Sequence, residues 1–62
     1  MKRRQLTQHL EKHGCIILRE GGNHTIYHNP DNNRKAPVPR HTEVDDLLAR
    51  KICRQLDIPL IK

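Results

Sequence analysis

Apolar positions follow two rhythms along this chain, a helical one at each end and a strand-like one between them. In the opening stretch RRQLTQHLEKHG, Leu6 and Leu10 stand four apart among cationic and polar residues. That spacing puts two side chains on one face of a helix. Gly14 follows, and glycine supplies the left-handed residue with which helices commonly end. A helix is therefore predicted from Arg3 to His13. CIILRE is apolar, β-branched and too short for a helix, so Cys15–Glu20 is predicted as a strand. Gly21-Gly22 is a pair suited to the primed hairpin turns, and NHTIYH returns as a second strand, Asn23–His28. NPDNN is a turn cluster. RKAPV, Arg34–Val38, reads as a short third strand, which Pro37 demotes to an edge because it lacks a ladder donor. The helical rhythm resumes in HTEVDDLLARKICRQLDIP. There Thr42 is the expected N-cap, with Asp45 three residues on. Val44, Leu47, Leu48, Ile52 and Leu56 are the expected apolar stripe, and Pro59 is the stop.

The predicted order is helix, three strands, helix, an α+β chain. A small three-stranded antiparallel sheet has one covered and one open face. Each helix has a single stripe to bury, so both must lie on the covered face. Strand alternation sets His24, Ile26 and His28 on one face and Thr25 and Tyr27 on the other. With Tyr27, the only aromatic residue, facing the core, His24 faces outward.

Composition narrows this picture. Sixty-two residues, 34% of them hydrophobic, make one domain spanning residues 1–62 with a core that barely offsets chain entropy. Modest stability, or help from a partner surface, is expected. Cys15 and Cys53 form no CxxC motif and read as two half-buried thiols in a reducing cytosol rather than a bridge. The longest aliphatic run, Ile16–Leu18, is too short for a signal peptide or a membrane span, so a soluble cytoplasmic protein with no membrane partner is expected. Twelve Lys and Arg against seven Asp and Glu give a net charge of +5. Such an excess points to a polyanion, RNA above all, although it also serves solubility.

Few chemistries survive inspection. His24 and His28 have the spacing of a zinc-finger pair, but four residues along a strand separate them by ~13 Å, too far for one Zn²⁺. His9 and His13 share a helix face with no third ligand in view and read as solvated side chains; no metal and no cofactor are expected. The chain contains no serine, which removes a Ser-His-Asp arrangement. Neither cysteine sits in an activating motif. Gly21-Gly22 opens a strand rather than a helix, so it is no phosphate loop. His24 is left, with Arg19, Arg34, Lys35, Arg40 and His41 on neighbouring strands or their ends. A lone imidazole beside cations suits RNA cleavage. It takes the proton of a ribose 2′-OH while Arg or Lys steadies the phosphate, and the two glycines leave room beside the ring. A solvated strand histidine is the plainer reading of the same residue.

The ordered set of features in HGCIILREGGNHTIYHNPDNNRKAPVPRHTEVDDLLARKICRQLDIP resembles the HicA toxin family. It comprises the helix ending at Gly14, Arg19 five residues before the histidine, Gly22-Asn23-His24, the HNPD turn, Val38-Pro39 before His41, and the closing LDIP. The sequence departs from the usual pattern at Asn23, where Ser is usual, at Cys15, where an aromatic is common, and in TEVDDLLA, which lacks a Lys-Gly-Thr stretch. The resemblance implies a fold like the double-stranded-RNA-binding domain, α-β-β-β-α. It also implies a type II toxin that cleaves mRNA with the histidine corresponding to His24 and is held inactive by a HicB-type antitoxin. Arg19, Asn23, His28, Lys35 and Arg40 are the expected RNA contacts. A non-catalytic RNA-binding module of the same fold, and a domain that binds only protein, are the alternatives. A homodimer and a hetero-oligomer with the antitoxin both stay open.

Overall fold

The computed structural model describes residues 1–61. The elements are α1 (Arg3–Lys12), β1 (Ile16–Glu20), β2 (His24–Asn29), β3 (Arg34–Pro39) and α2 (Asp46–Gln55), in the predicted α-β-β-β-α order. The sheet is antiparallel with β2 in the centre. Pro37 and Pro39 lie on β3, an edge strand. Two apart, they direct their missing N–H groups the same way, where an edge has no ladder bond to lose.

Both helices end in the same device. At α1, Gly14 (φ 86°) follows the C-cap, with Gly14 N–H on the Glu11 carbonyl and Cys15 N–H on the Leu10 carbonyl. At α2, Asp57 (φ 56°) holds the same place, with Asp57 N–H on Arg54 and Ile58 N–H on Cys53. These paired bonds are the Schellman motif. Gly14 fits it without cost, whereas Asp57 adopts left-handed backbone with a side chain attached.

The start of α2 differs from the sequence expectation. Thr42 is not its N-cap. Residues 42–44 run extended beside the chain's first residues: Arg3 N–H donates to the Thr42 carbonyl at 2.7 Å and Val44 N–H to the Met1 carbonyl at 2.8 Å. Lys2 and Glu43 form a 2.6 Å ion pair across this bridge, and the Lys2 hydrogen bond holds the Glu43 carboxyl below its usual range. The helix begins four residues after Thr42, with Asp45 as N-cap. Its buried stripe is also rotated. Ala49, Ile52, Cys53 and Leu56 are buried, while Leu47 is 68% exposed and Leu48 is also exposed. Small Ala49 and Cys53 let the helix lie close on the sheet, and Val44 is buried from outside the helix.

The core joins Leu6 and Leu10 of α1, Tyr27, Ala36 and Val38 of the sheet, and the α2 stripe. Both cysteines are fully buried within it rather than half-buried. The covered face of β2 carries Thr25, Tyr27 and Asn29. The two polar members tie down opposite ends of the molecule. Thr25 Oγ1 donates to Glu20 Oε1 (3.2 Å) and accepts from Arg3 Nη2 (3.1 Å). Asn29 Nδ2 donates to the Leu56 carbonyl at the end of α2 (2.8 Å) and its Oδ1 accepts from Asp31 N–H (3.1 Å). Asn32 donates to the same Leu56 carbonyl at 3.0 Å, so the NPDNN turn caps α2 as well as turning the chain. No helix among the described residues is long and apolar enough to cross a membrane.

Candidate active site

His24 is the first residue of β2 and is exposed on the open face, as alternation requires. The loop before it has three residues, Gly21-Gly22-Asn23, and is closed by Gly21 N–H donating to the His24 carbonyl at 2.8 Å. It is not a primed two-residue turn: Gly14 is the one glycine with left-handed φ. The two loop glycines also differ. A Cβ on Gly21 would stand 3.3 Å from the His24 carbonyl, whereas a Cβ on Gly22 would meet nothing within 4 Å. Among the described residues the ring of His24 has no hydrogen-bond partner, and both its nitrogens stay available to a ligand.

Arg19 reaches this face through an irregularity in β1. Ile17 pairs with Tyr27, but Arg19, not Leu18, pairs with Ile26. Leu18 is the extra residue of a β-bulge. Without it the ladder would set Arg19 opposite Thr25, on the covered face. With it, Arg19 stands beside Ile26, and Glu20 takes the position opposite Thr25. Leu18, Arg19, Ile26 and Lys35 then line one shallow groove of about 420 Å³ on the open face. Ile26 is two residues from His24 on the same side of β2, ~7 Å along the strand. Two of the expected phosphate contacts, Arg19 and Lys35, thus share the open face with the histidine, Arg19 beside Ile26 and Lys35 further along the sheet, opposite His28.

The others are placed differently. His28 sits opposite Lys35 on the same face, but its Nε2 is 2.8 Å from Asn33 Oδ1, and four strand residues separate it from His24. Asn23 is exposed in the hairpin loop. Arg40 is not on the open face with Arg19: its Nη2 is 3.1 Å from Glu20 Oε1, beside the covered-face Thr25. Arg34 lies opposite Asn29, at the far end of the sheet from His24. His9 is not simply solvated. Its Nε2 is 2.6 Å from the Pro59 carbonyl, and its ring meets His13 edge-on at 4.6 Å. Among the described residues no three His, Cys, Asp or Glu side chains stand together as metal ligands. Burial pushes the Cys15 thiol up, with Cys53 and Asp31 acting the same way, and burial pushes Cys53 up too. Both are protonated, inaccessible thiols rather than nucleophiles.

Sequence reasoning did not find the polar clamp beneath His24. Arg3 Nε donates to the Pro39 carbonyl at 2.8 Å and Arg3 Nη2 to Thr25. Pro39 is the cross-strand partner of His24. One arginine on α1 therefore fixes both strands that carry the histidine. Residues 3–58 match the family model for the HicA toxin of bacterial toxin-antitoxin systems. The chain belongs to the HicA toxin family. No curated protein and no solved structure matches it. Membership of the HicA family makes the chain the toxin of a two-part system, whose other part is an antitoxin protein.

Proposed function

We propose that this toxin is an endoribonuclease that cuts mRNA by proton transfer through His24, without a divalent metal. The observation that carries the reading is the exposed His24 ring on the same sheet face as Arg19 and Lys35, with Ile26 between them. His24 removes the proton of a ribose 2′-OH. The 2′-oxygen then bonds to phosphorus as the bond from phosphorus to the 5′-oxygen breaks, and solvent protonates the departing oxygen. Arg19 and Lys35 stabilise the charge that gathers on the phosphoryl oxygens, and Ile26 gives a base or ribose an apolar seat. Asn23, His28 and Arg40 are flanking RNA contacts, His28 and Arg40 after exchanging their present partners. The product is a cyclic phosphate. The antitoxin acts by covering this face.

The unpartnered ring also fits the second reading, an RNA-binding module without catalysis, since nothing fixes the tautomer of His24. One experiment separates the two. Parent protein and His24→Ala are mixed with single-stranded RNA in the presence of a chelator, and cleavage and affinity are both measured. General acid–base groups contribute roughly 10²- to 10⁴-fold. Cleavage by His24→Ala should therefore fall by about that factor, while affinity changes by less than about threefold. Equal cleavage by a folded His24→Ala protein sinks the mechanism, and binding without cutting by the parent favours the module.

A further inference from the structure

A second groove lies round the strand end from His24, on the helix side of the sheet. Its volume is about 620 Å³, and it is lined by Lys2, Arg3, Arg4, Gln8, Arg40 and Thr42 together with Gln5 and Thr7. Four of these are cations, none carries a carboxylate, and the rest are amides and hydroxyls that can donate to an oxygen anion. The cations are not alike. Arg3 is a fixed positive wall, held by Pro39 and Thr25. Lys2 is paired with Glu43 and Arg40 with Glu20. Arg4 makes no ion pair among the described residues, so its charge is free for a ligand. The groove is also tied to the histidine by chain geometry. Arg40 is one peptide link, ~3.8 Å, beyond Pro39, and Pro39 faces His24 across the ladder.

We propose that this groove holds the sugar-phosphate backbone of the RNA that flanks the nucleotide at His24, with Arg4 and Arg40 as its phosphate contacts. The inference rests on RNA being the ligand, and it adds a binding site separate from the open-face groove of Arg19 and Lys35. A polyanion fits here better than an acidic protein segment, because every lining side chain ends in a hydrogen-bond donor and none is an aliphatic or aromatic residue that would seat a peptide's apolar side chains. Glu20 tunes the site: it holds Arg40 in place and cancels part of its charge.

The test measures affinity for a single-stranded RNA 12-mer in a His24→Ala background, where the RNA is not cut, across a salt series. Arg4→Gln should weaken binding by about 3- to 10-fold and lower the salt slope by about one. Arg54→Gln, the same charge change on exposed α2 surface, should cost less than about twofold. Glu20→Gln keeps an acceptor for Thr25 and should tighten binding by about threefold, against little effect from Glu11→Gln on the other end of α1. Equal losses for Arg4→Gln and Arg54→Gln overturn the groove and leave the His24 reading standing. Polyglutamate binding as tightly as RNA assigns the groove to a protein partner and overturns the proposal. No binding of RNA by any variant overturns both the groove and the ribonuclease.

Discussion

Single atoms separate the two glycines before His24. At Gly21 a Cβ would press on the His24 carbonyl at 3.3 Å, a backbone atom that cannot swing aside, whereas at Gly22 it would project into open space. The sequence alone treats the two glycines alike, as room beside the ring; the structure places the sensitivity at Gly21. Displacements of a few tenths of an ångström at a catalytic group are felt in rate. Gly21→Ala should therefore slow RNA cleavage by roughly 3- to 30-fold, with Gly22→Ala within about twofold of the parent. Paired cleavage assays, with circular dichroism to confirm folding, give the ranking. The reverse order would mean that a different turn sets His24. The outward face of His24 and the inward face of Tyr27 were legible because strand alternation is a local rule. The buried roles of Thr25 and Asn29 were not, since both residues look like ordinary strand or turn polars. Their partners Arg3 and Leu56 lie 22 and 27 residues away, and only the folded chain brings them together.

Helices and strands show the same division between local and distant causes. Four of five elements begin within one residue of the positions predicted from periodicity, because Leu6/Leu10 spacing, the apolar run of β1 and the turn residues act locally. α2 begins three residues late because its expected first residues are taken up in backbone pairing with the amino-terminal residues, a contact about forty residues apart in sequence. The bulge at Leu18 was equally hidden: IILRE alternates no differently with or without it, yet it decides which face Arg19 occupies. The α2 terminus offers a clean test of element-level physics. Asp57 holds a left-handed φ of 56° that Gly14 fills without strain at the matching position of α1. Asp57→Gly relieves the Cβ clash but adds freedom to the unfolded chain. The relief, about 1–2 kcal/mol for an ordinary residue and less for Asp, outweighs the entropic cost. A net gain of about 0.5 kcal/mol should appear as a higher urea midpoint with unchanged slope. A lower midpoint would mean that the Asp57 side chain contributes more than its backbone strain costs.

For the molecule as a whole, stability hangs on a core in which Cys15, Ala36, Ala49 and Cys53 are among the buried members and Tyr27 is the one aromatic. A domain of this size holds only about 3–5 kcal/mol. The ordinary values of the groups that can ionise inside it are 9.0 for the two thiols and 10.0 for Tyr27, and burial raises all three in the folded state. The sign follows directly. Well below pH 9 the thiols are protonated in both states and contribute no pH dependence. Above it the unfolded chain releases protons that the folded chain retains, so stability falls with rising pH until the folded values are reached. Each thiol that stays protonated in the folded core while its unfolded counterpart ionises lowers stability as the pH rises, and the two act in the same direction. Urea melts in a reducing buffer should therefore hold steady from about pH 7 to 8 and then fall as the pH rises through 9. Cys53→Ala lowers the whole curve through the cavity it leaves, but it should also make the alkaline limb shallower. That change of slope is what a packing defect alone does not produce. A parent profile that stays flat to pH 10 would show that the thiols ionise as readily in the folded core as in water.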